Sequence, residues 1–118
     1  VTMALSSSEN RAKRRQQLRE WRRMVFQRVI AGLEALQAAG VSARVILPLG
    51  DDQPVEFLVD ALDMPTMSLA ARRLRRSMGN VAHYPVFTGD LTPERRATLQ
   101  GSAWDLEAVQ RHQRDQAA

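Results

Sequence analysis

A chain of 118 residues, 44% apolar and 25% charged, can build one domain with one modest core, which excludes a disordered tail or a collagen-like repeat. It has no cysteine, which excludes a disulfide framework, a thiolate nucleophile and a cysteine-based zinc site and leaves packing alone to hold the fold. Its net charge of +4 and pI near 10.9 raise the expectation of a polyanionic partner, tempered by composition: every basic residue but Lys13 is arginine, as in proteins of GC-rich genomes.

No apolar run approaches the ~18 residues of a membrane span. Val1 to Ser8 lack the apolar stretch of a secretory signal. No membrane association is expected, and the cytoplasm is the expected compartment. Charge is segregated along the chain. Residues 1–32 carry eight basic and two acidic side chains, residues 33–67 one and six, and residues 68–118 eight and five. Such a chain pairs its own ends or shows a basic and an acidic face to different partners.

Residues 1–8 are expected to be a disordered lead-in, 9–114 a single α+β domain and 115–118 a frayed tail. The first element is a long helix from Glu9 to Ala39. Leu18, Trp21, Val25, Val29, Leu33 and Leu36 recur at steps of three and four and share one stripe, which Met24, Phe26 and Ile30 widen. The first half of that helix is strongly basic with little to bury. It is expected to project from the core or to be ordered by a partner. Gly40 suits a C′ position.

A hairpin follows, Arg44–Leu49 with Val55–Asp60, turning at Gly50-Asp51-Asp52-Gln53. Val45, Leu47 and Leu49 share one face, opposite Val55, Phe57 and Val59. Pro48 has no N–H and places its strand at an edge or bulge. A second helix is predicted over 68–78, capped by Thr66 or Ser68 and stopped by Gly79, with Leu74, Met78 and Ala70 or Ala71 inward. Val81–Phe87 is a third strand. Thr92-Pro93-Glu94 is a helix start, cap then N1 proline then first-turn acid, and Gly101 ends that helix. A last helix runs from Trp104 to Arg114. The order is α-β-β-α-β-α-α, with three strands in one sheet and the helical segments 24–39, 68–78 and 93–100 packed on it.

Several of these stretches carry a resemblance that spans residues 25–106. They are the run from Val29 to Val41 ending in Ala38-Ala39-Gly40-Val41, then Val45-Ile46-Leu47-Pro48-Leu49-Gly50, then Val55-Glu56-Phe57-Leu58-Val59-Asp60, then Leu91-Thr92-Pro93-Glu94-Arg95-Arg96. Together they resemble the minimal nucleotidyltransferase domain of the polymerase-β type. That resemblance implies nucleotide transfer by two metal ions, held by an Asp-x-Asp pair on the second strand and an Asp on the third. Here the Asp-x-Asp positions are Pro54 and Glu56, and Tyr84–Phe87 has no carboxylate. Asp51 replaces the serine after Gly50, and the phosphate-binding segment that should follow is missing. One carboxylate cannot hold two Mg²⁺ ions. The resemblance therefore implies a degenerate member without the family's catalysis.

His83 and His112 lie too far apart in the chain for zinc-ligand spacing, and each reads as an ordinary strand or solvated helix residue. Asp51 and Asp52 read as turn chemistry. Glu56, Asp60 and Asp63 would have to gather to make a metal site for an enzyme. Trp21 and Trp104 read first as core aromatics, and as base-stacking residues only if exposed beside the basic stretches. Met64 and Met67 flank Pro65 in a loop as a small apolar contact surface.

The two arginine stretches are the strongest signal. Arg11, Lys13, Arg14, Arg15, Arg19, Arg22 and Arg23 lie on the first helix, where Arg15, Arg19, Arg22 and Arg23 are expected to form a ridge. Arg72, Arg73, Arg75 and Arg76 form a second cluster. Guanidinium forks match phosphate oxygens. No helix-turn-helix, zinc finger or Gly-x-x-Gly clamp accompanies them, so backbone binding is expected rather than sequence readout. The expected function is that of a non-enzymatic, nucleic-acid-associated protein with no cofactor and no metal. The alternative is an assembly or regulatory subunit that binds a partner, or a second copy, through Trp21, Val25 and Phe26.

Overall fold

The computed structural model describes residues 7–48 and 53–117. Four helices and three strands follow in the order read from the sequence: α1 (Ser7–Ala38), β1 (Ala43–Ile46), β2 (Val55–Val59), α2 (Met64–Met78), β3 (His83–Phe87), a 3₁₀ turn (Thr88–Asp90), α3 (Pro93–Ser102) and α4 (Leu106–Ala117). The fold is α+β.

α1 ends where the sequence marks its end. Gly40 takes φ 75°, the Val41 N–H reaches the Leu36 carbonyl at 2.9 Å, and the Gly40 N–H reaches that of Gln37 at 3.0 Å. This pair of bonds is a Schellman motif, which satisfies carbonyls that a bare helix end leaves open. Leu36 and Val41 are both buried beside it.

β2 is the central strand. It pairs antiparallel with β1, Val45 opposite Phe57, and parallel with β3, Val59 opposite Phe87. Parallel neighbours cannot be joined by a tight turn, and α2 supplies the crossover between β2 and β3. β1 is an edge strand, but it ends at Ile46, short of the expected Leu49, so Pro48 lies beyond it rather than within it. That edge is partly closed, because Val45 and Trp104 exchange backbone hydrogen bonds of 2.8 and 2.7 Å. The expected turn at Gly50, Asp51 and Asp52, and Leu49 before it, lie outside the described residues.

The period-two pattern of β2 sends Val55, Phe57 and Val59 to one face, each 1% exposed or less. They join Val45, the α1 residues Val25, Val29, Leu33 and Leu36, the α2 residues Ala70, Leu74 and Met78, and Val109 of α4 in one apolar cluster. Full burial of each valine, leucine, methionine or phenylalanine among them contributes about 1.5–3 kcal/mol. α1 and α2 lie antiparallel. A Cβ at Gly32 would meet Leu74 at 3.2 Å, and the Arg28 guanidinium donates to the Met78 carbonyl at 2.7 Å. Leu58, on the other face of β2, and Leu99 of α3 are buried outside that cluster.

Several expected boundaries are corrected. α2 begins at Met64, not Ser68, because Asp63 is the cap: its carboxylate accepts from the Thr66 N–H at 2.8 Å, with Pro65 in the first turn. Met64 and Pro65 are therefore helical rather than a loop. α3 runs through Gly101 to Ser102. α4 begins after Asp105, whose carboxylate accepts from the Ala108 N–H at 2.8 Å, so Trp104 precedes the helix. α1 takes in Ser7 and Ser8, and α4 continues past Arg114 to Ala117. Val86 and Phe87 are half-buried.

Candidate nucleic-acid interface

Arg11, Arg15, Leu18, Arg22, Val25, Val29, Leu33 and Leu36 follow one another by steps of three or four, so they lie along one line of α1. The line changes chemistry partway. Val25, Val29, Leu33 and Leu36 are at most 6% exposed and form the core contact. Residues 8–20 are exposed throughout. The azimuth that packs the domain in the second half thus carries guanidinium groups in the half that projects. Arg14 and Arg19 flank the line on either side, and Arg23 lies beyond Arg19. Glu9, Lys13 and Glu20 fall on the opposite side of the helix, where Gln16 also donates to Glu20 at 3.4 Å. Lys13 is thereby separated from the ridge.

The second cluster is elsewhere. Ala70, Leu74 and Met78 turn α2 inward at steps of four, which leaves Arg72, Arg73, Arg75 and Arg76 exposed on its outer side. Arg72 donates to the Ser68 carbonyl at 3.4 Å. The α1 ridge continues the core-facing line while the α2 arginines face away from the core. The two clusters therefore occupy different sides of the helical layer.

Where the projecting half of α1 meets the body, α1, the end of β1 and α4 enclose a groove of about 710 Å³. Trp21, Val25, Phe26, Leu47, Pro48 and His112 give it apolar and aromatic lining, beside the side-chain amides of Gln27, Gln113 and Gln116. Arg19, Arg22, Arg23 and Arg114 also line it. His112 is not on a solvated face as its sequence position suggests. It is half-buried, 5.2 Å from the Phe26 ring and 5.4 Å from Trp104, the latter edge-on at 80°. Trp104 is 37% exposed and outside the core, contrary to expectation, because its backbone is committed to the β1 edge. Trp21 is half-buried. Val25, expected on a partner surface, is 6% exposed and belongs to the core, leaving Trp21 and Phe26 of that stripe accessible.

The carboxylates do other work. Glu56 sits beside Tyr84, and the hydrogen bond to Glu56 holds the Tyr84 phenol above its ordinary pKa. Asp60 accepts from the buried Thr88 hydroxyl at 2.9 Å. Asp63 caps α2, and the Thr66 N–H holds its carboxyl below the ordinary value. Among the described residues no three His, Cys, Asp or Glu side chains are grouped to hold a metal ion, so Glu56, Asp60 and Asp63 do not gather. His83 is half-buried, its Nδ1 2.7 Å from the Val81 carbonyl and its ring edge-on to Phe57. Asp51 and Asp52 lie outside the described residues.

Among the described residues no helix is long and apolar enough to cross a membrane. Comparison with known proteins returns no matching family model, no similar curated protein and no similar solved structure.

Proposed function

We propose that this protein associates with nucleic acid without catalysis, holding phosphates along the arginine line and flank of α1. The observation that carries this reading is the change of chemistry along one helical line, from a buried apolar stripe to an exposed basic one. An exposed helix half that buries nothing of its own gains order from a partner, and a row of guanidinium groups selects a partner with regularly spaced oxyanions. Glu56, Asp60 and Asp63 each have a structural role, which supports a binding protein over an enzyme. On its resemblance to the nucleotidyltransferases, the chain would be a member that keeps the polyanion and has lost the metal carboxylates. Such a role belongs in the cytoplasm. Binding to duplex and structured RNA or DNA across salt tests the reading. Four phosphates neutralised on a duplex give a log–log slope of about −3.6, and no binding at low salt would sink it.

The second reading is an assembly subunit that docks a protein through the same stripe. Trp21 and Phe26 favour it, being accessible aromatics beside the exposed Leu18. Pairing of two copies along the line would set Arg15 and Arg22 of one against those of the other, which is repulsive. Light scattering distinguishes the readings: a concentration-independent monomer removes self-assembly.

A further inference from the structure

The groove between α1, the end of β1 and α4 differs from a plain basic patch. A phosphate-binding surface needs cations and exposure. This one adds aromatic side chains, Trp21, Phe26 and His112, lining the same groove as Arg19, Arg22, Arg23 and Arg114. Its volume of about 710 Å³ falls within the roughly 300–1,000 Å³ of sites that enclose a small organic molecule. A duplex has no use for such a lining, since its bases are stacked on one another and only their edges are offered. An unstacked base has both faces free and a charged phosphate on either side.

We infer that the groove takes a base of a single-stranded nucleic acid, stacked on Trp21, with adjoining phosphates held by the arginines that line the groove. This rests on the nucleic-acid reading above and adds the strandedness of the partner. Charge complementarity selects the occupant: the lining is both cationic and aromatic, the combination that single-strand binders use. An acidic peptide would satisfy the arginines and leave the aromatic side chains unused. Phe26 and Trp104 both pack against His112, which fixes that part of the groove.

The test uses the full chain with Trp104→Phe, which leaves Trp21 as its one tryptophan. Titration with a thymidine oligonucleotide is expected to quench Trp21 emission to saturation, and the single strand is expected to bind more tightly than a duplex of equal length at the same salt. Trp21→Leu keeps apolar bulk without a π-face. It is expected to weaken single-strand binding by roughly 5- to 150-fold while leaving duplex binding within about twofold, and Trp21→Phe to restore most of the loss. Unquenched Trp21 overturns the inference. So does a Trp21→Leu variant that melts like the parent and binds single strands equally well, or polyglutamate that quenches and competes as strongly as the oligonucleotide. If Trp21→Leu fails to fold, quenching in the Trp104→Phe protein decides. Loss of all nucleic-acid binding at low salt would refute the underlying function, whereas equal binding of both strand forms without Trp21 dependence refutes only the groove.

Discussion

Phe57 is fully buried at the centre of β2, and its ring meets both α1 near Gly32 and the edge of His83. Phe57→Ala leaves a cavity that α1 and the sheet cannot both close. The expected cost is about 3–5 kcal/mol, a large share of the ~5–15 kcal/mol that holds a domain of this size, and urea unfolding measures it. Asp63 acts locally instead. Its carboxylate caps α2, and the cap holds its pKa below the ordinary 3.8. A depressed pKa means stability that is present above the unfolded-state value and lost as pH falls through the folded-state value. Asp63→Ala should therefore lower the melting temperature at neutral pH, and the gap to the parent should close below about pH 3.8. A gap that persists at lower pH would show that the charge is not what caps the helix.

At the scale of elements, two glycines separate backbone geometry from space. A Cβ meets nothing within 4 Å at Gly40 or at Gly101. Gly40 has φ 75° at the end of α1, so Gly40→Ala should cost about 1–2 kcal/mol in backbone alone. Gly101 lies inside α3, so Gly101→Ala should stabilise by up to about 1 kcal/mol. Melts with opposite signs confirm the pair. Most elements were legible because their signals are local: the α1 stripe, the Gly40 and Gly79 stops, Thr92-Pro93-Glu94 and the alternation of β2. Boundaries failed where local signals compete. Asp63, Thr66 and Ser68 all suit a cap, and only the hydrogen bond from the Thr66 N–H to Asp63 chooses among them. The parallel pairing of β3 and the bridge from Trp104 to Val45 are long-range contacts, and no periodicity encodes them.

The molecule as a whole is elongated, 61 × 26 × 26 Å, because the first half of α1 leaves the body. Its Cα radius of gyration is 17.0 Å, against about 13.5 Å for a compact domain of this length. X-ray scattering of the free protein should return the larger value, and the smaller one would mean that the basic half folds back or melts into the body. The arginine ridge was legible from spacing. The groove was not, since Trp21, Leu47 and His112 are far apart in the chain and line one groove only because β1 and α4 both pack against α1. Val25 was misplaced for the same reason: the stripe predicts a face without saying what covers it.

The most direct measurement is the salt dependence of nucleic-acid binding by the parent, Arg15→Ala, Arg19→Ala and Arg23→Ala, each checked by thermal melting. These side chains are exposed, so their loss should leave the melt nearly unchanged. The parent's log–log slope should be about −2.8 on a single strand or −3.6 on a duplex, and each substitution should reduce it by about 0.7 or 0.9. A parent that fails to bind at low salt, or a slope unmoved by all three substitutions, would contradict the claim that this line of α1 is a phosphate-binding surface.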